Sequence, residues 1–300
     1  MPNFTISFTA MGSTINIWLN APTEADAQPL AKIPQLFEAW EQRFSRFRPT
    51  SELSQLNARA GEWVLLSGPM AEVVSLALKA ARMTDGIFNP LILDALEATG
   101  YDHTFDDPAS FVPSAATNAV QVPDYRKTEF EEDTSTMRLP KGSRLDLGGI
   151  VKGWAAQRTA DYLSSFGACL VDAGGDIVAR GSPDASGGWI ASVPNPQNGQ
   201  LIGSVLLKDA AIATSGKDYR RWQRDGQDLH HLIDPRTGQP AQNKVLSATV
   251  IAESGVKAEV WAKVSLITGV LPDLAALLVD QDGSIHTNSH FDRMNLEKVS

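Results

Sequence analysis

The stretch Leu145-Asp-Leu-Gly-Gly-Ile-Val-Lys-Gly153 runs straight into Trp154-Ala-Ala-Gln-Arg-Thr-Ala-Asp-Tyr-Leu163, and no other segment constrains the chain as much. The first part reads as a strand end followed by a glycine turn. The second has the three- and four-residue apolar spacing of an amphipathic helix. Gly148 and Gly149 let the backbone approach a bound anion, and Lys152 brings a positive charge into the first helical turn, where unsatisfied N–H groups already favour phosphate. A cofactor diphosphate suits such a turn. A Gly-Gly turn that merely starts an ordinary helix has the same sequence, and at this point both readings stand.

With 300 residues, 43% of them hydrophobic, the chain is long enough to bury a sizeable core as one large domain or two coupled ones. Its net charge of -9 argues against nucleic acid or an anionic membrane as the main partner, since both select clustered basic residues. The single cysteine, Cys169, sits in an apolar run and is read as a small core residue. The segment Met1-Pro-Asn-Phe-Thr-Ile-Ser-Phe8 lacks the basic start and apolar core of an export leader, and no later stretch is apolar for long enough to span a bilayer. No membrane insertion and a cytoplasmic location are therefore expected.

Phe4 to Leu19 alternates as a strand pair bent at Gly12. Leu30 to Phe44 predicts a helix with Ile33, Leu36, Phe37, Trp40 and Phe44 on its core face, and Met70 to Met83 predicts another with Val73, Val74, Ala77 and Ala81. Residues 101–143 are polar, with Pro108, Pro113 and Pro123, and the acidic run Glu129-Phe-Glu-Glu-Asp133 reads as a solvated turn between short strands. Strands are predicted at Cys169–Asp172, Ile177–Arg180, Trp189–Val193, Leu201–Leu207 and Val245–Ala252, separated by short Gly-, Pro- and Asn-rich intervals that suit antiparallel pairing. A last helix runs from the N-cap Ser254 to about Thr268. Helices packed with antiparallel sheets make the fold class α+β.

Five further segments bear on function. They are Met11-Gly-Ser-Thr14, Phe44-Ser-Arg-Phe-Arg-Pro-Thr-Ser-Glu-Leu-Ser-Gln-Leu-Asn57, Thr84-Asp-Gly-Ile-Phe-Asn-Pro90, Val171-Asp-Ala-Gly-Gly-Asp-Ile177, and Ala213-Thr-Ser-Gly-Lys-Asp-Tyr-Arg-Arg221 followed by His230-His-Leu-Ile-Asp-Pro-Arg-Thr-Gly-Gln-Pro240. With the glycine turn, they resemble in order the ApbE family of FAD:protein FMN transferases, from Met11 to about Gly269. The resemblance implies a single ApbE-like domain over residues 1–300, made of two tightly associated lobes with FAD between them. It also implies a reaction in which FAD is cut at its diphosphate and FMN is esterified to a Thr or Ser hydroxyl of a target protein. Such phosphoryl-type chemistry asks for a cation on the diphosphate, donors on its oxygens and a base for the incoming hydroxyl.

Position by position, the resemblance gives His231 as the base, with Leu232 beside it at the flavin site. An imidazole suits proton removal near neutrality; without the motif, a hydrogen-bonded core histidine is the simpler reading, and His230 would face the other way on a strand. For FAD it gives Met11, Phe47, Ile87, Phe88, Asn89, Asp146 and Lys152; Thr214, Ser215 and Gly216 add hydroxyls and a flexible backbone beside the phosphates, although Thr-Ser-Gly is also a common turn. Phe47 can stack on a flavin or adenine ring, and Asp146 can accept from a ring N–H or a ribose hydroxyl. For the family's magnesium ion it gives the Gly149 carbonyl and Glu259, but Ala262 and Lys263 stand where relatives carry oxygen ligands. An ammonium cannot ligate Mg²⁺. Glu259 and Lys263, at i and i+4, can instead pair, either as an exposed helix pair or as a built-in charge replacing the metal. Two other outcomes stay open beside transfer: FAD binding without transfer, and hydrolysis of FAD to FMN and AMP.

Overall fold

The computed structural model describes residues 3–104, 120–224 and 226–294. The chain divides into two compact units, one built from 1–39, 152–218 and 244–300, the other from 40–151 and 219–243. Pro108 and Pro113 lie outside the described residues. Among the described residues, no helix is long and apolar enough to cross a membrane.

The first unit is organised on an eight-stranded, wholly antiparallel sheet. Its spatial order is Asn3–Ala10, Ser13–Asn20, Ala168–Ala173, Asp176–Arg180, Ala211–Gly216, Val245–Ala252, Ala275–Asp280 and Ile285–Thr287. The predicted hairpin is present, turning at Met11 and Gly12 with φ of 53° and 63°. Two successive positive φ values are the signature of the tight hairpin turn whose twist matches that of the strands. Val245–Ala252 is buried along nearly its whole length, so the sheet is covered on both faces there. On one face Ile212, Ile251, Leu277 and Val279 pack with Trp189, Val193, Val205 and Leu207 of the hairpin Trp189–Pro194/Leu201–Leu207, together with Phe291. The helix Gly255–Thr268 packs on Ala211–Gly216 and Val245–Ala252.

That helix is apolar around most of its circumference, as a helix enclosed by its surroundings must be. Ser254 caps its start by accepting from the Lys257 N–H, and Gly269, at φ 72°, closes its end. The glycine-turn helix, Val151–Leu163, starts three residues earlier than its periodicity predicts, so Lys152 does fall in the first turn. The two helices meet through glycines. A Cβ on Gly153 would stand 2.5 Å from the Gly255 carbonyl oxygen, and one on Gly255 would stand 2.3 Å from that of Gly153. Cys169 is fully buried, donates its thiol hydrogen to the Ala160 carbonyl, and is pushed up to about 12 by burial.

In the predicted helix over 30–44, Gln28–Lys32 is a 3-10 turn and the α-helix begins at Ile33. Ile33, Phe37 and Phe44 are buried as predicted, Trp40 is half-buried, and Leu36 is exposed, outside the core face. The second unit carries the helices Glu52–Ala58, Gly68–Met83 and Leu93–Ala98. Val73, Val74, Ala77 and Ala81 are all fully buried in the second of these. The acidic run does not form a turn throughout: Glu129–Glu131 is a strand paired with Thr136–Arg138, and only Glu132 and Asp133 enter the turn. Three strands were not foreseen in the first unit: Ala211–Gly216, Ala275–Asp280 and Ile285–Thr287.

The Gly153–Gly255 contact sets a test. Gly153→Ala forces backbone apart rather than a flexible side chain, so it is expected to cost about 3 kcal/mol or more, the upper part of the range for overpacking. Urea unfolding monitored by tryptophan fluorescence measures it, and a loss below about 1 kcal/mol would contradict the close approach.

Candidate functional site

In the first unit the glycine contact delivers a carboxylate to a helix start. Glu259, one turn into its helix, accepts from the Gly153 backbone N–H at 2.8 Å and from Lys263 Nζ at 2.9 Å. Lys152 Nζ stands 4.0 Å from the same carboxylate and pairs with Asp176. Glu259 and Asp176 are 1% and 3% exposed, so these four residues form a set of two buried carboxylates and two half-buried ammoniums. Burial alone would raise the Glu259 carboxyl, but Lys263, Lys152 and the Gly153 N–H overcome it and hold the group below its ordinary value. Asp176 goes the other way: burial dominates, and Glu259 adds to it against the pull of Lys152 and Lys263.

The predicted Glu259–Lys263 pair is therefore present, with its carboxylate buried and its ammonium half-buried rather than on an exposed helix face. The residues here do not fit a magnesium ion. The one carboxylate at the position has its two oxygens committed to an ammonium and a backbone N–H, Ala262 offers no ligand atom, and Mg²⁺ needs oxygen ligands at about 2.0–2.1 Å in near-octahedral array. Among the described residues no group of three or more His, Cys, Asp or Glu is placed to hold a metal. Asp176 had no role in the sequence reading, although it ends the Ala-Gly-Gly-Asp segment; its signal was an acid directly after a glycine pair.

The same unit joins two of the sequence segments. Gly174 donates its N–H to the Thr14 carbonyl at 3.1 Å and lies against Ser13, which sets the Met11 turn beside the Ala173-Gly-Gly-Asp176 turn. Thr214, Ser215 and Gly216 are not a flexible turn. They close the strand Ala211–Gly216, paired residue by residue with Ser247–Ala252, and Thr214 shares a hydroxyl hydrogen bond of 2.8 Å with Thr249. The Thr-Ser-Gly composition suggested a turn, but pairing with Ser247–Thr249 on one side holds the backbone extended. Just beyond, Lys217 is buried, and that burial lowers its ammonium to about 8.

The other predicted residues belong to the second unit. The expected strand end at Leu145 is absent: Leu145 donates to Asn57 Oδ1 at 2.7 Å and accepts from Asn57 Nδ2 at 2.9 Å, so a side-chain amide takes the place of a neighbouring strand. Asp146 donates its N–H to the Pro90 carbonyl, which brings the Ile87-Phe88-Asn89 loop alongside it. Asn89 spends both ends of its amide on Leu91 and Pro123, and Phe88 is buried, so of these three only Ile87 is partly exposed. Asp146 Oδ1 accepts from Gly148, and Gly149 lies in the turn that follows.

Phe47 and His231 come together through a residue the sequence reading missed. Tyr101 stands edge-on to both, with ring centroids 6.0 Å from Phe47 and 6.3 Å from His231, and packs on Trp222 at 5.7 Å. The Arg46 guanidinium lies over Phe47 at 4.2 Å and over Tyr101 at 4.5 Å, with Nε 3.2 Å from Asp146 Oδ2. His230 is the last residue of the strand Gln227–His230, and its ring bridges the Leu232 N–H and the Ala241 carbonyl. His231 follows the strand end, half-buried, with Nδ1 3.4 Å from the Arg220 carbonyl. A carbonyl only accepts, so Nδ1 carries the proton in that contact and Nε2 is the basic nitrogen. Leu232 is buried.

Comparison with known proteins places this arrangement. The model of the ApbE family matches residues 11–285. An FAD:protein FMN transferase of Klebsiella pneumoniae is 30% identical over 288 residues, covering 93% of this chain and 87% of that protein. One of Vibrio cholerae is 29% identical over 272 residues, covering 88% and 81%. The crystal structure of the ApbE protein of Thermotoga maritima superimposes with a TM-score of 0.89 at 24% identity, over 98% of this chain and 99% of that one, and so shares its fold. With its ordered motifs and a family match over nearly its whole length, the chain belongs to the ApbE family.

Proposed function

We propose that this protein is an FAD:protein FMN transferase that works without a bound divalent cation. Names carried by its relatives support the reaction class, and the observation that carries the reading to this chain is the state of His231. Within the His-Leu-Ile-Asp-Pro segment, its Nδ1 faces the Arg220 backbone carbonyl at 3.4 Å, a contact that makes Nε2 the ring nitrogen able to accept a proton. In the transfer, a Thr or Ser hydroxyl oxygen of the target protein attacks the FMN-side phosphorus of FAD. The bond from that phosphorus to the bridging oxygen breaks, AMP leaves, and the hydroxyl proton passes to His231. FMN is left as a phosphoester on the target.

Each remaining residue has a positioning task in this reading. Lys152 and Lys263 supply ammonium groups to the diphosphate, in place of the magnesium ion that the family resemblance implies; Glu259 and Asp176 fix where those ammoniums stand. The main chain about Met11, the strand end Thr214–Gly216 and Ile87 offer donors and apolar contact to FAD, Leu232 backs the base, and Phe47 offers a ring face. A second reading, FAD binding without transfer, draws on the same Lys263: an ammonium on Glu259 preserves the fold and the ligand charge balance without the electrophilic strength of a divalent ion.

His231→Ala is expected to lower FMN transfer to a suitable peptide by about 10²–10⁴-fold while FAD affinity changes by no more than a few-fold. AMP release followed by chromatography, alongside flavin fluorescence titration, separates the two quantities. An unchanged rate removes His231 from the chemistry; no AMP from the wild type in any condition leaves the binding reading.

The ammonium reading makes a separate demand. FAD affinity of the wild type is expected to be the same within about twofold in EDTA and in excess magnesium, because the compensating charge is covalent. The triple change Glu259→Asp, Ala262→Asp and Lys263→Thr provides an oxygen-only face and is expected to make FAD binding depend on magnesium by about tenfold or more. A magnesium requirement in the wild type would overturn the reading.

A further inference from the structure

Arg46 is the one charged side chain among the described residues with buried nitrogens that lack any hydrogen-bond partner. Both Nη1 and Nη2 are shielded from solvent and unpaired; the other such atoms are three hydroxyls and one carboxylate oxygen of Asp280. A guanidinium placed only to neutralise Asp146 would present two nitrogens to the carboxylate, as the fork geometry favours. Here it presents Nε alone, at 3.2 Å, and turns its four Nη hydrogens away. The side chain is 6% exposed. Its nearest walls, Phe47 and Tyr101, offer ring faces and no in-plane acceptor. A buried donor pair with nothing to donate to is a vacancy for a ligand acceptor.

Charge decides the kind of acceptor. Arg46 is already balanced by Asp146, so a phosphate brought to the Nη atoms would place one or two uncompensated negative charges in a buried aromatic surround. A neutral acceptor adds none. Asp146 Oδ2 stands beside the Arg46 donors, and an acceptor next to donors matches a heterocycle edge on which a ring N–H or amino group neighbours a ring nitrogen or carbonyl. The walls on either side are aromatic, which suits a flat guest.

We propose that Arg46 recognises FAD by donating from Nη1 and Nη2 to in-plane acceptors of an uncharged heteroaromatic ring, the isoalloxazine or the adenine, and takes no part in holding the diphosphate. This rests on the FAD reading above and adds a ring-recognition residue to it. Arg46 is the third residue of the Phe-Ser-Arg-Phe segment, one before Phe47, so the donor and one of its walls are fixed by adjacent positions.

The test uses the full chain with Arg46→Lys, which keeps the charge beside Asp146, and Arg46→Gln, which keeps a planar donor. Affinity for FAD, riboflavin, adenosine and inorganic pyrophosphate is measured by calorimetry or fluorescence. FAD binding is expected to weaken about tenfold or more in both variants, the range for a lost charged hydrogen bond, and pyrophosphate binding to stay within twofold. A matching loss for riboflavin identifies the isoalloxazine as the guest, and one for adenosine the adenine; either supports the proposal. FAD affinity within twofold of the wild type, or a loss that appears with pyrophosphate and with neither ring compound, overturns it. If neither variant folds, a crystal structure of the wild type with FAD decides. An Nη atom within about 3.2 Å of a ring nitrogen or oxygen supports the proposal, and contact with phosphate or with no ligand atom overturns it. Wild type that binds riboflavin or adenosine through Arg46 but not FAD would sink the transferase reading alone.

Discussion

The approach of two glycines is the constraint on which the charged part of the first unit depends. Gly153 and Gly255 touch backbone to backbone, and only because neither carries a Cβ can the starts of their helices lie so close. The approach lets Glu259, one turn along, reach back to the Gly153 N–H. A carboxylate at a helix N-terminus is well placed against the exposed N–H groups and the dipole. Once it is there, Lys263 one turn further and Lys152 at the opposing helix start have a charge to meet. Larger residues at the contact would separate the helices, and the carboxylate would then be buried without its backbone donor.

Buried ion pairs are poor sources of stability, since desolvation offsets most of what the charges gain, whereas removing one partner costs about 3–5 kcal/mol. The set Lys152, Asp176, Glu259 and Lys263 is therefore better understood as positioned chemistry than as a staple. Its members come from two helices and the strand Asp176–Arg180, so an ammonium at this place is fixed from three directions. Cohesion comes from elsewhere, from the packed layers around Ile251, Leu277 and Trp189 on one face of the sheet.

How much of this could be read from the sequence follows physical range. The core face of Met70–Met83 was legible from its period and the helix Gly255–Thr268 from its N-cap Ser254, because both signals are local, and so was the i to i+4 pairing of Glu259 with Lys263. The strand Ala211–Gly216 was not, because Thr-Ser-Gly carries turn composition and its extension is imposed by pairing with Ser247–Thr249, which is distant in sequence. Leu145 looked like a strand end because its apolar alternation is strand-like, but its partner is the amide of Asn57, 88 residues earlier. Asp176 and Tyr101 were missed for the same reason: their importance lies in what folding brings to them, Lys152 in one case and the rings of Phe47 and Trp222 in the other.

Arg46 adds a second residue to a motif that the sequence reasoning had already found. An aromatic residue in a recurring segment draws attention as a stacking platform, and an adjacent arginine passes for solubility or a surface pair. Burial reverses the ranking. Phe47 is partly buried and its ring is already engaged by Tyr101 and by the guanidinium, so its contribution to ligand binding is a shape. Arg46 holds donors that nothing in the chain satisfies, and an unsatisfied buried donor costs free energy until a guest arrives. Its charge is already neutralised by Asp146, so what remains on offer at Arg46 is donor geometry rather than net charge.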